Sequence, residues 1–430
     1  MFFALPDNDN DCLRALRLLH ERQRRRSILD MEEEECHNRR TRLLLLWLCA
    51  YTNKKPSLRD ILSLEGMWRR DRRIPRIALL APAASPWMKL CDSKNDQALI
   101  TLTGFDHAAF ETMLNLFRPL FHAYAPWVGE MDGSQHKKLV TKNKKQQSVG
   151  GRPRLIDDRA CLGLVLAWCR FKGGVFILQG WFGFTGTPAN VWLKFGRRML
   201  LKALWANDLA RVRVPTDEKV VTHMDIIQQQ HEHLPDVFCV ADGLKISFEG
   251  CDGLSTQSMF HNGWQHGHFT SNLLVFTPDG RIVVAVLNAP GSVHDSTLAE
   301  WGNVCDKLES ICERTGGECC LDSAFASCNV DCLIKSSDDI TKAKNAHEAK
   351  QAKEATSLRQ SAEWGMRAMQ GAFPRLKDKM QFECNGERKV FLMLAVMLHN
   401  IRLELVGLNQ LRNVCIPAWS RDAQHMVEQH

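Results

Sequence analysis

The sequence predicts an α+β protein, with helices through its first half and a mixed sheet flanked by helices in its second. Three observations carry this. Apolar residues recur at helical spacing over 99–117 and 160–168, β-branched runs broken by turn residues fill the stretch between Asp236 and Cys332, and helical spacing returns beyond it. A chain of 430 residues, 45% hydrophobic and 24% charged, is long enough for two or three domains.

Residues 1–95 are rich in Arg and Leu and read as helical with loops, interrupted from Pro82 to Pro86. Over residues 96–128, Thr103 or Asp106 caps a helix whose apolar face is Phe110, Met113, Leu114 and Phe117, a face that calls for a small bundle. Residues 1–128 are therefore expected to form a helical N-terminal region. Residues 129–154 turn polar, basic and Gly-bearing, as a linker does. It ends in Gly150-Gly-Arg-Pro-Arg154, a core that suits an A·T-rich minor groove and that also arises by chance in basic segments. In the region 155–215, Ala160, Leu162, Leu164, Val165 and Trp168 mark one helix, stopped at Gly173-Gly174. A short helix over 175–182 meets the turn Gly183-Phe-Thr-Gly186, after which Thr187 caps a third helix with Pro188 at its first position. That order is a helix-turn-helix. Its last helix carries Asn190, Lys194, Arg197 and Arg198, a set able to reach phosphates or base edges, though a plain bundle with basic residues outward has the same spacing.

Charge and cysteine content narrow the classes. The formal net charge is +7, and basic residues cluster at Arg22–Arg26, Arg39–Arg42, Arg69–Arg73 and Lys137–Lys145. Together such runs suit a polyanionic partner; singly, a solvated helix face or a nuclear-import signal explains each. The first residues lack a basic start and a long apolar run, so the 16 cysteines are expected to stay reduced. The apolar run Leu43–Tyr51 is far shorter than the ~20 residues of a membrane span. His261, His266, His268 and His294 with Cys305, Cys312, Cys319, Cys320, Cys328 and Cys332 offer no Cys-x2-Cys pair, which argues against zinc. The absence of a Gly-x4-Gly-Lys-Ser/Thr loop argues against ATP-driven action.

In the second half, Val237–Ala241 runs as a strand into Asp242, and Asn272–Phe276 leads through Thr277-Pro-Asp-Gly280 to Arg281–Leu287, a hairpin. Helical spacing follows from Ser296 to Cys312, then short strands at Cys319–Leu321 and near Cys332–Ile334. The Lys/Ala/Glu-rich stretch Ser336–Arg359 reads as a solvated connecting helix or a DNA-facing lid, ahead of the helix of Glu363. Val390–Ile401 is apolar on nearly every face and should pack against the sheet. Strand, hairpin, helix, strand, then helices is the order of a ribonuclease-H-like domain, placed here at 236–405 with a tail at 406–430. Four carboxylates stand at element ends: Asp242, Asp295, Asp322 and Glu363. In this fold, acids on adjacent strand ends joined by one from a later helix can hold two Mg²⁺ or Mn²⁺ ions ~3.5–4 Å apart for phosphodiester cleavage. Taken singly, Asp295 is also explained as a helix cap, Asp242 as a turn residue, and Glu363 as the middle of an Arg359, Glu363, Arg367 ladder.

Ala241-Asp-Gly, Trp264 in Asn262-Gly-Trp, Pro278-Asp-Gly280, Pro290-Gly-Ser-Val-His-Asp-Ser296, Leu321-Asp-Ser-Ala-Phe325, Arg359 with Glu363-Trp-Gly and Arg375-Leu-Lys377, and Leu398-His-Asn400 occur in that order. Over about residues 155–405 the chain thereby resembles the Harbinger-type DDE transposases, relatives of the insertion-sequence-5-type enzymes. The resemblance implies metal ligation by Asp242, Asp295, Asp322 and Glu363, and leaves Asp295 or Asp322 as the second core acid; topology favours Asp322. It further implies a nuclear, divalent-metal-dependent endonuclease and strand-transfer enzyme. Its partners would be transposon ends and target DNA, a separate Myb/SANT-like DNA-binding protein, and other copies of itself. Arg367, Arg375, Lys377 and Lys379 would track phosphates beside Glu363, unless they only solvate a helix end. A host-recruited nuclease that no longer transposes, and a DNA-binding protein whose acids no longer cut, share the same motifs.

Overall fold

Ser85 opens the helical part of the computed structural model, which describes residues 74–126, 154–172, 174–248, 254–322, 325, 332–335, 345–380 and 385–407. Residue contacts divide the chain into Met1–Ile74 and Pro75–His430, and everything below concerns the second unit. The expectations for the N-terminal basic runs, the linker up to Pro153 and the tail from 408 lie outside the described residues.

Side-chain caps start most of the early helices. Ser85 accepts from the Met88 amide at the head of α1 (Pro86–Ser93), Asn95 from Ala98 in α2 (Asp96–Thr103), and Asp106 from Ala109 in α3 (His107–Ala123). Of the two cap candidates for α3, Asp106 is the one used; the Thr103 hydroxyl donates back to the Leu99 carbonyl at 2.7 Å. Phe110, Met113, Leu114 and Phe117 are all buried, as their spacing requires. Asp157 caps α4 (Asp158–Arg170), and α5 (Phe176–Phe182) ends at Gly183, whose φ of +73° suits glycine. Next comes α6 (Gly186–Trp205), which starts earlier than expected: Thr185 holds the N-cap position, and Thr187 and Pro188 lie within the first turn. Beyond α7 (Asp217–Gln228) the sheet begins.

Among the described residues, six strands and five intervening or flanking α-helices follow: β1 (Val237–Ser247), α8 (Leu254–Phe260), β2 (His261–Asn262), β3 (Gly267–Phe276), β4 (Ile282–Pro290), α9 (Asp295–Trp301), α10 (Val304–Thr315), β5 (Glu318–Leu321), β6 (Leu333–Lys335), and then α11 (Ala346–Ala372) and α12 (Asn385–Leu405). The sheet runs β4-β3-β1-β5-β6, with β2 added at the start of β3. Strands β4, β3 and β1 are antiparallel; β1, β5 and β6 are parallel. This mixed sheet flanked by helices is compatible with a ribonuclease-H-like domain.

Two differences from the sequence reading matter. Strand β1 continues through Asp242 to Ser247 instead of ending there, because eight consecutive residues from Val240 pair with β3. The polar stretch before Glu363 and the helix of Glu363 are, from Ala346 onward, one helix of 27 residues.

Alternation along β1 divides the core. Val240, Leu244 and Ile246 face a cluster shared with α11, α12 and the helices α1 to α6, so the helical region and the sheet have a common core. Cys239 and Ala241 face a second cluster made with α9 and α10. Helix α12 closes the first face by a polar clip: the Asn400 amide accepts from the Ile282 amide and donates to its carbonyl, both at 2.9 Å. Beside it, His399 Nε2 donates to the Gly280 carbonyl at 3.0 Å, which fixes its tautomer, and the ring meets Phe276 edge-on. The hairpin turn signalled by Pro278-Asp-Gly280 is thus fastened by the Leu398-His-Asn400 motif.

Asn400 is fully buried, so Asn400→Ala leaves two backbone groups of Ile282 unpaired and should cost about 2–4 kcal/mol in urea unfolding. Burial lowers the His399 pKa from 6.5 to about 4. The unfolded chain therefore takes up this proton first, and stability should fall as pH drops from about 6.5 towards 4. Unfolding measured across that window should show a smaller loss in His399→Leu than in the wild type.

Candidate active site

Parallel pairing of β1 with β5 sets Val240 against Cys320; carried two residues on, just past the end of β5 at Leu321, that register would bring Asp242 and Asp322 near one another, and the Asp322 charge does act on Asp242. Both lie two residues beyond a pair whose side chains enter the first core cluster, and side-chain alternation points them to that same face. Helix α11 covers this face: Cys320 Sγ donates to the Ala355 carbonyl at 3.4 Å, and an added Cβ on Gly365 would come within 2.8 Å of the Phe276 ring. Glu363 lies on that helix. The Arg359 guanidinium reaches down from α11 to Asp322, with Nη1 3.6 Å from Oδ2.

Asp242 is partly buried and accepts from the Gly243 amide at 2.7 Å. Burial pushes its carboxyl up to about 6; the Gly243 amide and the Arg359 charge oppose this, and the Asp322 and Asp295 charges add to it. Glu363 is paired with Arg367 at 3.4 Å, half of the helical ladder anticipated from spacing. Arg359 leaves that ladder for Asp322. Among the described residues, no three His, Cys, Asp or Glu side chains gather closely enough to hold a metal ion.

Asp295 belongs to the opposite side of the sheet. An added Cβ on Gly243, which would point away from the Asp242 face, meets Asp295 Oδ2 at 2.6 Å. Lys245, on that same side, donates to Asp295 Oδ1 and to Ser271 Oγ, both at 3.0 Å. Asp295 opens the first turn of α9 after His294 at the N-cap. Gly243 and Lys245, which face away from the Asp242 side of β1, both meet Asp295, and Lys245 pairs with its carboxylate. Residue 243 must be glycine because the carboxylate approaches so closely. Lys245 escaped the sequence reading, although strand periodicity alone sets it opposite Asp242.

The basic candidates separate by burial. Arg197 is 7% exposed and Arg198 partly buried; they share the Glu387 carboxylate at 2.7 and 2.6 Å, and the Arg197 guanidinium lies 4.5 Å over the Trp168 ring. Arg375 stacks on the other reach of Trp168 at 4.3 Å and donates to the Phe171 carbonyl. These three arginines hold α4, α6, α12 and the segment after α11 together. The reason is one acid 190 residues distant in sequence and one buried indole. Most of α6 is buried against α3, α4 and α12, leaving Asn190 and Lys194 exposed. Arg367, Lys377 and Lys379 are also exposed. Arg154, last in the Gly-Arg-Pro-Arg segment, donates to the Phe121 and Tyr124 carbonyls instead of facing solvent.

Residues 241–400 match the family model of the DDE superfamily endonucleases. The match begins one residue before Asp242 and ends on the clip residue Asn400, and so takes in all of the sheet but the start of β1, Asp242, Asp322 and the α11 helix. It supports a transposase-like DDE nuclease domain in general, for which DNA is the substrate class and divalent metal the usual requirement. No curated protein and no solved structure matches the chain.

The donor chemistry of the acid pair fits a hard divalent cation. Two carboxylates sit side by side on one face, Asp242 is strained by burial and by like charge, and a local cation is already drawn in to balance them. On the other side of the sheet, Lys245→Met leaves a partly buried carboxylate without its ion-pair partner and should cost about 1–3 kcal/mol in chemical denaturation. The double variant Lys245→Met with Asp295→Leu should recover most of that loss, as a structural ion pair requires.

Proposed function

We propose that the protein is a divalent-metal-dependent DNA endonuclease and strand-transfer enzyme of a Harbinger-type DNA transposon, acting in the nucleus. The observation that carries this reading is the nearness of Asp242 and Asp322 under the helix of Glu363, inside the segment that matches the DDE endonucleases. Asp242, Asp322 and Glu363 would hold the metal, Mg²⁺ or Mn²⁺, which when bound would supply activation of the attacking hydroxyl and charge stabilisation at the leaving 3′-oxygen. The acids act as ionised oxygen donors and no covalent protein intermediate is needed. For Glu363 to join the two aspartates, its carboxylate must exchange Arg367 for the site, a change of side-chain rotamer on a partly exposed helix flank.

Phosphates of the substrate would lie along the exposed cations that begin with Arg367 on α11 and continue through Lys377 and Lys379. Lys194 and Asn190 offer a second exposed patch on α6. End recognition by a separate Myb/SANT-like protein and assembly of several copies belong to the same proposal, and rest on the resemblance alone. A competing reading is a DNA-binding protein that no longer cuts. The ion pair between Arg359 and Asp322, which occupies one of the acids, is the observation on its side.

Nicking of supercoiled DNA separates the two. The full chain should cleave with Mg²⁺ or Mn²⁺ and lose activity on chelation, and Asp242→Asn, Asp322→Asn and Glu363→Gln should each reduce the rate at least about a hundredfold, on the scale of removing one charged transition-state contact. Asp295→Asn should lose stability more than activity. Cleavage by the three acid variants at the wild-type rate defeats the nuclease reading.

A further inference from the structure

Arg359 makes a contact that the proposed chemistry does not use. Its position on α11 is four residues before Glu363, the spacing of a helical ion pair, yet its guanidinium turns to Asp322 on the sheet while Glu363 pairs with Arg367. The contact is loose. At 3.6 Å it exceeds hydrogen-bonding distance, and the Arg359 Nε is buried with no hydrogen-bond partner among the described residues. A guanidinium normally fulfils its donors with a carboxylate in a two-pronged grip, so this one is held by charge and not by geometry. Asp322 is 32% exposed and Arg359 21%, so the pair is reachable from solvent but not dissolved in it.

We propose that Arg359 is the resident counter-cation of the acid pair: it balances Asp242 and Asp322 in the metal-free protein, and a divalent cation binds only by displacing it. This rests on the reading of the two aspartates as a metal site, and adds that the site is guarded. A loose, partly buried ion pair contributes little stability by itself, so displacement is cheap, but it must be met at every binding event. The guard shares its helix with Glu363. Release of Arg359 from Asp322 and of Glu363 from Arg367 would accompany one another, since both re-pair acids on one flank of α11.

The test is Mn²⁺ titration of the full chain without DNA, by calorimetry, together with thermal melting with and without Mn²⁺. The variants are Arg359→Gln, Arg359→Met, Arg359→Lys, Asp242→Asn, and Arg359→Gln combined with Asp322→Asn. Without metal, Arg359→Gln should melt below the wild type. It should bind Mn²⁺ about five- to tenfold more tightly, the equivalent of about 1 kcal/mol, and gain more in melting temperature from the metal. Arg359→Met, chosen to preserve packing, should do the same, and Arg359→Lys should stay near the wild type. The gain should vanish when Asp322→Asn is added. Equal or weaker Mn²⁺ binding by both Arg359→Gln and Arg359→Met overturns the proposal, while loss of binding in Asp242→Asn still upholds the acid-pair site. Unchanged binding in Asp242→Asn overturns that site and the guard with it.

Discussion

The register between two parallel strands governs this site. Val240 lies against Cys320, and the same step carried two residues on, just past the end of β5, would bring Asp242 and Asp322 to one face, near enough for the Asp322 charge to act on Asp242. A slip by one residue would turn one carboxylate into the opposite core. Register is therefore worth defending, and the structure does so from both sides. Val240, Leu244 and Ile246 are buried against one cluster, Cys239 and Ala241 against the other, so no slip leaves the apolar set in place. Pairing with β3 over eight residues fixes the other edge of β1.

The same strand explains why two acids with similar motif support have different surroundings. Asp242 shares its face with α11 and with Arg359, whereas Gly243 and Lys245 look to the other side and receive Asp295. The Asp-Gly dipeptide thus does two jobs with adjacent residues: a carboxylate aimed at one face, and a missing side chain that admits a second carboxylate from the other. With Lys245 bound to it, Asp295 ties the start of α9 to the middle of the sheet. That anchoring holds the loop after β4, whose Gly291 carbonyl accepts from Asn262 in the β2 hairpin.

Local signals made much of this legible. Asp106, one of the two cap candidates for α3, the hairpin around Pro278-Asp-Gly280, and the brief apolar run Cys319–Leu321 each depend on near neighbours, and each is present in the structure. What failed depended on distant partners. Asp-Gly reads as a turn from sequence, and becomes mid-strand only because β3 supplies the opposing ladder. One helix was expected after Ser296; a residue at φ +47°, Asn303, divides α9 from α10 instead. Arg197 and Arg198 carry the pattern of a recognition helix, and nothing nearby in sequence announces Glu387. Which acid joins Asp242 was open in the sequence, since it depends on which face each occupies.

Interior arginines also change how the positive charge should be read. A net charge of +7 invites a picture of a basic surface, but Arg154, Arg197, Arg375 and Arg388 lie over the rings of Phe121, Trp168 and Phe248 within the fold, where each attraction to an aromatic face offsets part of the cost of burial. Those charges raise the total without extending outward as a field for a polyanion. Among the described residues, exposed cations include Arg367 on α11, then Lys377 and Lys379 where the chain turns from that helix back to pair Met380 with Phe248 beside the end of β1. A phosphate backbone drawn to these three would run past the helix that carries Glu363. If the protein engages DNA as proposed, attraction would come from position along one helix end more than from overall charge.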